Sequence, residues 1–390
     1  MDIYHQILLQ YWGYAEFRPL QEEIIRSVCA GKDTLGLMPT GGGKSITFQV
    51  PTLTMDGICI VVTPLIALMK DQVDNLKRVG IKATAIHSGM SCEEMIVQLE
   101  NCIFGDYKFL YVSPERLGTE LFQNKLRAMN VCLLAIDESH CISQWGYDFR
   151  PSYLKVADIR ALLPGVPVLA LTATATPEVV DDIQERLLFK EKNVFKKSFS
   201  RPNLAYIVRK TEDKLSELVH ILQRVPGTAI VYVRNRKMTA EIAAHLKSVG
   251  ISAEYFHAGL LPDEKIERQN RWKNGETRVI VSTNAFGMGI DKPDVRLVVH
   301  LNMPGSLEEY YQEAGRAGRD EKKAYAVYLC GPADVSTLKK RVSAEFPDKS
   351  FVYQVYERLG NYYQIAMGFG LNTVHDFQIE DFCKAFKLPI

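Results

Sequence analysis

Short, continuous runs of apolar and β-branched residues recur along this chain with longer amphipathic stretches between them. That alternation narrows the possible folds more than any other feature. Thr34–Met38, Ile58–Val62, Lys108–Val112, Cys132–Ile136 and Val168–Leu171 read as strands, and Leu65–Val79 and Ser91–Cys102 as helices between them. A strand apolar at nearly every residue must be covered on both faces, which is the situation in parallel sheets flanked by crossover helices. The pattern then starts again. Strands are expected at Thr228–Val233, Ala253–Phe256, Arg278–Ser282, Leu297–His300 and Tyr325–Leu329, with helices at Lys237–Ser248, Asp263–Lys273 and Ser306–Ala314. The expected class is α/β, with two successive parallel-sheet units. The hinge is placed near Phe199–Asn203, where Ser-Arg-Pro-Asn interrupts the pattern. After Leu329 the alternation stops. Asp334–Ala344 and Val352–Met367 read as helices, so a short α-rich extension should follow. The domain expectation is 1–200, 201–335 and 336–390.

The chain's 390 residues leave room for two or three domains. With 47 Lys and Arg against 46 Asp and Glu, no polyelectrolyte tail or globally basic coat is present, although a local basic groove is compatible with that balance. No run approaches the roughly 18 apolar residues of a membrane span. The N-terminal MDIYHQILLQYWGY lacks a basic n-region, so no signal peptide is expected. The 8 cysteines form no CxxC pair and read as reduced thiols, several inside buried strands, which points to the cytoplasm.

Met38–Ser45, Met-Pro-Thr-Gly-Gly-Gly-Lys-Ser, lies where a strand should turn into a helix. Thr40, Gly41, Gly42 and Gly43 would curl the backbone so that N–H groups face phosphate. Lys44 would reach the β- and γ-phosphates, Ser45 would bind Mg²⁺, and the helix N-terminus adds its positive end. The bland reading is a glycine-rich turn before a lysine. Cys132–His140 then supplies an acidic pair at the end of a buried strand, with Asp137 placed to hold Mg²⁺ through water and Glu138 to orient or deprotonate the attacking water. Alone, Asp-Glu after a strand also suits a solvated loop. With the phosphate loop present, nucleotide hydrolysis is the expectation. Gln312–Arg319, Gln-Glu-Ala-Gly-Arg-Ala-Gly-Arg, carries two arginines three residues apart, the side chain suited to charge spread over a transferring phosphoryl group.

Together these motifs resemble the superfamily 2 helicases, and within them the RecQ family of DNA helicases, over roughly residues 1–330. The resemblance implies two tandem RecA-like P-loop domains and ATP-driven 3′-to-5′ translocation on single-stranded DNA, unwinding forked or tailed duplexes in repair and recombination. It also implies association with the chromosome or nucleoid and no membrane contact, and leaves protein partners unassigned. Phe17–Gln21, preceded by Tyr14, resembles the family's adenine-recognition motif, which gives base stacking to Tyr14 and edge reading to Gln21, assisted by Arg18. Thr63–Gln72 and Ser113–Leu117 resemble strand-contact motifs and point to Thr63, Pro64, Lys70 and Ser113 as DNA contacts. Leu171–Thr176 resembles the element linking hydrolysis to strand movement.

Cys141–Tyr153 resembles the RecQ aromatic-rich loop, with Trp145, Tyr147, Phe149 and Tyr153 as candidate base-stacking residues and Arg150 as a further DNA contact. It departs from the family at Tyr147, where His is usual. Ser139 replaces the usual Ala of the Asp-Glu-x-His motif. Ser282–Pro293 resembles a motif contacting strand and nucleotide, which singles out Thr283 for phosphate, Asp291 for nucleotide or the domain interface, and the close-approach glycines Gly287 and Gly289. In the arginine segment the resemblance gives Gln312 and Arg316 to the nucleotide or the interdomain contact and Arg319 to the arginine finger.

Many RecQ helicases follow the motor with a four-cysteine zinc module and a winged helix. After Leu329 only Cys330 and Cys383 remain, so ATP and Mg²⁺ are expected and zinc is not. The preferred expectation is a fragment of a longer protein, with a reduced accessory region as the second possibility. Two other functions stay open: an ATP-driven DNA-binding or strand-remodelling translocase without robust unwinding, and, less favoured, an RNA helicase.

Overall fold

The computed structural model describes residues 2–39, 41–146, 148–198, 200–286, 292–366 and 368–388. The chain divides into two compact units, Met1–Cys330 and Gly331–Ile390.

The first unit holds two all-parallel sheets. The first contains β1 (Thr34–Leu37), β2 (Ile58–Val62), β3 (Ala83–Ile86), β4 (Phe109–Val112), β5 (Val131–Ile136), β6 (Val168–Thr172) and β7 (Val194–Lys196), in the order β3-β4-β2-β5-β6-β1-β7. The second contains β8 (Leu204–Lys210), β9 (Thr228–Tyr232), β10 (Ala253–Phe256), β11 (Val279–Ser282), β12 (Val295–His300) and β13 (Ala324–Cys330), in the order β10-β11-β9-β12-β13-β8. The α/β expectation of two successive parallel-sheet lobes is met.

The central strands show why the alternation was readable. In β2, Ile58, Ile60 and Val62 enter the core on one face while Cys59 and Val61 enter the core on the other. In β9, Ala229 and Val231 face one core, and Ile230 and Tyr232 the opposite one. Neither face can be polar, so the run is apolar throughout. Three strands were missed. β3 is Ala-Thr-Ala-Ile, in which Thr84 and the small alanines give no continuous large-apolar run, while β7 and β8 are edge strands whose residues are largely exposed. Helix boundaries fall close to expectation. For example, Cys92–Phe104 starts at a Ser91 capping box closed by Glu94.

Helix Ile46–Thr54 leaves the phosphate loop and is buried from Ile46 through Thr52. Ile46 and Val50 share a core with Ile7 and Leu8 of helix Ile3–Trp12 and Ile25 of helix Gln21–Cys29. The N-terminal helices therefore hold the phosphate-loop helix against the sheet.

The second unit has helices Asp334–Glu345, Lys349–Tyr362 and Ile379–Phe386. Its core is an aromatic cluster, in which Phe382 lies 5.5 Å from Tyr362 and 5.2 Å from Phe386 between ring centroids. Val352, Tyr353 and Tyr356 of helix Lys349–Tyr362 are exposed. No helix among the described residues is long and apolar enough to cross a membrane.

Candidate active site and strand-contact loops

The sequence-expected site residues sit mainly at the C-terminal ends of the parallel strands, the usual location of ligand sites in open α/β sheets. β1 runs into the phosphate loop, β2 ends before Thr63, β4 before Ser113, and β5 before Asp137.

In the phosphate loop, Gly41 and Gly43 adopt positive φ of 78° and 75°. A Cβ on Gly41 would stand 2.8 Å from Cγ of Arg319, and one on Gly43 would run into the Gln21 amide nitrogen. Glycine is required here both for conformation and for close approach. Gln21 is buried. Its Nε2 donates to the carbonyls of Gly42 and Gly43 at 3.3 and 2.9 Å, while its Oε1 accepts from the Arg18 N–H at 2.9 Å. Arg18 donates to the Gly41 carbonyl at 2.6 Å. The two residues expected to read adenine thus brace the phosphate loop, while Tyr14 stands exposed nearby in sequence. Thr40 lies outside the described residues.

Lys44 Nζ lies 3.8 Å from Glu138 Oε1. Glu138 adopts a left-handed backbone, φ 49° and ψ 46°, which ends β5 and starts the turn Ser139–Ile142. A non-glycine residue held there is strained, and such strain persists where surrounding structure fixes it. The Glu138 N–H donates to Asp137 Oδ1 at 3.0 Å, and the Tyr153 hydroxyl donates to the Asp137 carbonyl at 3.0 Å. Burial, then the Glu138 charge, pushes Asp137 up to about 6, against the pull of Lys44 and the Glu138 N–H. Burial also raises Glu138, but Lys44, His140 and Arg316 together outweigh it and hold Glu138 below the usual range. A buried carboxylate crowded by another is the donor a hard divalent cation would stabilise, and Ser45 and Asp137 offer oxygen donors suited to Mg²⁺.

The second lobe reaches the same cleft. Arg316 is buried and its charge acts on Glu138. Arg319 lies against Gly41. Gln312 Nε2 donates to Thr174 Oγ1 at 3.4 Å. Thr174 continues a hydrogen-bonded path: Thr172 Oγ1 donates to its carbonyl at 3.2 Å and lies 2.9 Å from His140 Nδ1, which is 3.5 Å from Glu138 Oε2. A cleft of about 300 Å³ opens in front of the phosphate loop, lined in part by Arg18, Gly41, Gly42, Arg201, Asn203 and Arg319. Asp291, Gly287 and Gly289 lie outside the described residues.

Several contributors were not foreseen. Arg201, in the expected hinge, donates to the carbonyls of Gly315, Ala317 and Gly318 at 2.8, 2.9 and 2.6 Å and so pins the arginine segment. Asn203 adds a bond to Gly318 at 2.8 Å. Lys273 and Asp71 form an ion pair of 2.8 Å between the lobes. The sequence signal for the first two is Arg201-Pro202-Asn203, which marks an interruption of the strand–helix pattern and carries no local sign of its partners.

The aromatic loop splits by exposure. Trp145 is 76% exposed, which leaves its ring available to a stacked base, and Phe149 is partly buried. Tyr153 is fully buried and bonded to Asp137, which corrects its reading as a stacking residue: its hydroxyl is committed beneath the acidic pair. Arg150 is paired with Asp148 at 3.0 Å and donates to the Pro64 carbonyl at 3.4 Å, so here it ties the loop to the β2 end. His140, Cys141 and Asp148 bring donor atoms within 4.8 Å of one another. Asp148 is already engaged by Arg150, and burial raises the Cys141 thiol, so the cluster is a brace of the loop. Tyr147 lies outside the described residues.

Of the other expected DNA contacts, Lys70 is exposed on helix Ile66–Arg78. Thr63 and Ser113 are 0% and 2% exposed, with hydroxyls that meet no hydrogen-bond partner among the described residues. As placed, these two hydroxyls lie below the surface a strand would touch. Thr283 follows β11, and its hydroxyl accepts from the Ala285 N–H at 3.4 Å.

A sheet lobe bearing a phosphate loop and an Asp-Glu pair, faced by a second lobe that carries arginines into the same cleft, defines the two-lobed P-loop motor class. The DEAD/DEAH box helicase family matches residues 18–183, and the helicase conserved C-terminal domain matches residues 212–321. The chain is 46% identical to ATP-dependent DNA helicase RecQ of Bacillus subtilis over 84% of this chain and 56% of that protein, and 40% identical to RecQ of Haemophilus influenzae over 91% and 58%. It is also 41% identical to the probable ATP-dependent DNA helicase RecS of Bacillus subtilis, over 87% of this chain and 69% of that protein. The chain belongs to the RecQ family of DEAD/DEAH-box helicases. It spans somewhat over half the length of the two RecQ relatives. Solved structures share the two-lobed fold: S. cerevisiae Dbp5 bound to RNA and ADP BeF3 (TM-score 0.68, 17% identity, 89% of this chain and 92% of that one) and Mycobacterium smegmatis helicase Lhr bound to ssDNA and AMP-PNP (0.68, 17%, 87% and 49%).

Proposed function

We propose that this chain is the motor of an ATP-dependent 3′-to-5′ DNA helicase that moves along single-stranded DNA and opens tailed or forked duplexes in repair and recombination, in the cytoplasm at the chromosome. The observation that carries the proposal is the convergence of Lys44, Asp137 and Glu138 with Arg316 and Arg319 of the opposite lobe. The named relatives support DNA as the strand, and polarity rests on the family resemblance.

In this reading Lys44 and the N–H groups of the glycine loop hold the β- and γ-phosphates of ATP. Ser45 and Asp137 hold Mg²⁺, which when bound neutralises phosphate charge. Gln21 and Arg18 keep the loop shaped for the nucleotide, with Tyr14 and Gln21 beside the base. Glu138 orients the attacking water. Arg316 and Arg319 stabilise charge on the transferring group, so nucleotide binding favours the closed lobes and product release lets them part. Gln312, Thr174, Thr172 and His140 connect that closure to Glu138. Lys70, Thr283 and the loop of Trp145 and Phe149 lie along the strand, with Thr63, Pro64, Ser113 and Arg150 shaping the surface beneath it.

Trp145→Ala should keep nucleotide binding and lose DNA stimulation of hydrolysis, because it removes a base platform worth about 1–3 kcal/mol and leaves the phosphate site intact. Stimulation that survives the change would refute the assigned role of the loop. The function itself is tested on a duplex with a 3′ single-stranded tail. Strand release that needs ATP and the 3′ tail is the expected result. Hydrolysis without release would favour the translocase reading.

A further inference from the structure

We infer that Glu313 and His300 are positioning residues for Arg316, and that Tyr232 joins this pair to the loop carrying the strand-contact residue Thr283. Both residues of the pair are buried, with His300 Nε2 2.8 Å from Glu313 Oε2. His300 Nδ1 meets no partner among the described residues, so the useful ring proton is on Nε2 and is donated to the carboxylate. The imidazole stacks on Tyr232, with centroids 5.3 Å apart and planes 23° apart, and packs against Tyr310 at 5.0 Å. The Tyr232 hydroxyl donates to the Phe286 carbonyl at 2.8 Å, and the Arg316 charge acts on that hydroxyl. The ring closes through the backbone, where the Arg316 N–H donates to the Glu313 carbonyl at 3.2 Å.

Arg316 therefore follows the turn that starts at Glu313 and lies within the electrostatic reach of Tyr232, and His300 packs against both, bonding the Glu313 carboxylate and stacking on the Tyr232 ring. The outer side of the network faces a pocket of about 100 Å³ lined by Tyr232, His300 and Glu313 together with Thr283, Asn284 and Arg234. Tyr232 bonds the loop of Thr283 through Phe286. A strand that moves this loop therefore has a direct mechanical route to the arginine in the ATP cleft. A buried carboxylate–imidazole pair needs such a reason, because two apolar side chains would fill the same volume without desolvating polar groups.

This inference rests on Arg316 acting in ATP hydrolysis as proposed above. A double-mutant cycle tests it, with DNA-stimulated turnover and the KM for ATP measured in single turnover where rates are low. Glu313→Ala should lower kcat by about 10- to 100-fold, the usual cost of misplacing a catalytic group, with KM unchanged. It should add no further loss in an Arg316→Ala background. Glu313→Gln, which retains an oxygen for the imidazole N–H, should restore most of the rate. If Glu313→Ala does not fold, Tyr232→Phe removes one hydroxyl and should show the same dependence on Arg316. Equal losses in both backgrounds, or none in the first, would overturn the positioning role. A wild-type chain without DNA-stimulated hydrolysis would instead overturn the functional reading and this inference with it.

Discussion

Glu138→Gln is expected to bind ATP as tightly as the wild-type chain and to hydrolyse it, in the presence of single-stranded DNA, about 10²- to 10⁴-fold more slowly. The substitution keeps the shape of the side chain and removes its charge and basicity. Glu138 sits 3.8 Å from Lys44 and is held ionised by Lys44, His140 and Arg316 against the effect of burial. Its left-handed backbone ends β5 and starts the Ser139–Ile142 turn, which places the carboxylate beside Lys44. Binding depends on the phosphate loop, and an isosteric amide leaves its backbone N–H groups and the Lys44 ammonium in place. Initial-rate hydrolysis and titration with a fluorescent ATP analogue separate the two effects. Full turnover in this variant would remove Glu138 from the chemistry.

Arg319→Ala should be about as damaging, with a loss of about 10³-fold or more in DNA-stimulated kcat, the scale set by arginine fingers in phosphoryl transfer. Arg319 reaches the phosphate loop so closely that Gly41 has no room for a Cβ. Its segment is pinned by three bonds from Arg201, so the guanidinium is presented from a fixed turn. Arg319→Lys should not restore the rate, because an ammonium lacks the planar fork that spans phosphate oxygens. Stopped-time assays of phosphate release at saturating ATP and DNA check both variants. Arg319→Lys with wild-type turnover would show that charge alone is needed.

The core strands and the phosphate loop were legible because each is local. Every residue of β2 is buried, and Lys44 follows three consecutive glycines, so a few adjacent letters carry the signal. β7 and β8 are not legible because their exposed residues need no apolar run, and β3 because Thr84 and two alanines replace the large apolar residues of its neighbours. Contacts between the lobes were hidden for another reason. Arg201 meets Gly315 across more than a hundred residues, Lys273 meets Asp71 across two hundred, and no local pattern encodes such a meeting. Tyr153 was misread because an aromatic in a polar loop looks like a surface platform, and only its burial and its bond to the Asp137 carbonyl show that it serves the acidic pair from below.

The most direct test of the central claim is the steady-state rate of ATP hydrolysis by the wild-type chain with no nucleic acid, with single-stranded DNA and with single-stranded RNA. A two-lobed DNA-strand motor should be slow alone, strongly stimulated by DNA and much less by RNA. A rate that DNA leaves unchanged, or that RNA raises more, would contradict it.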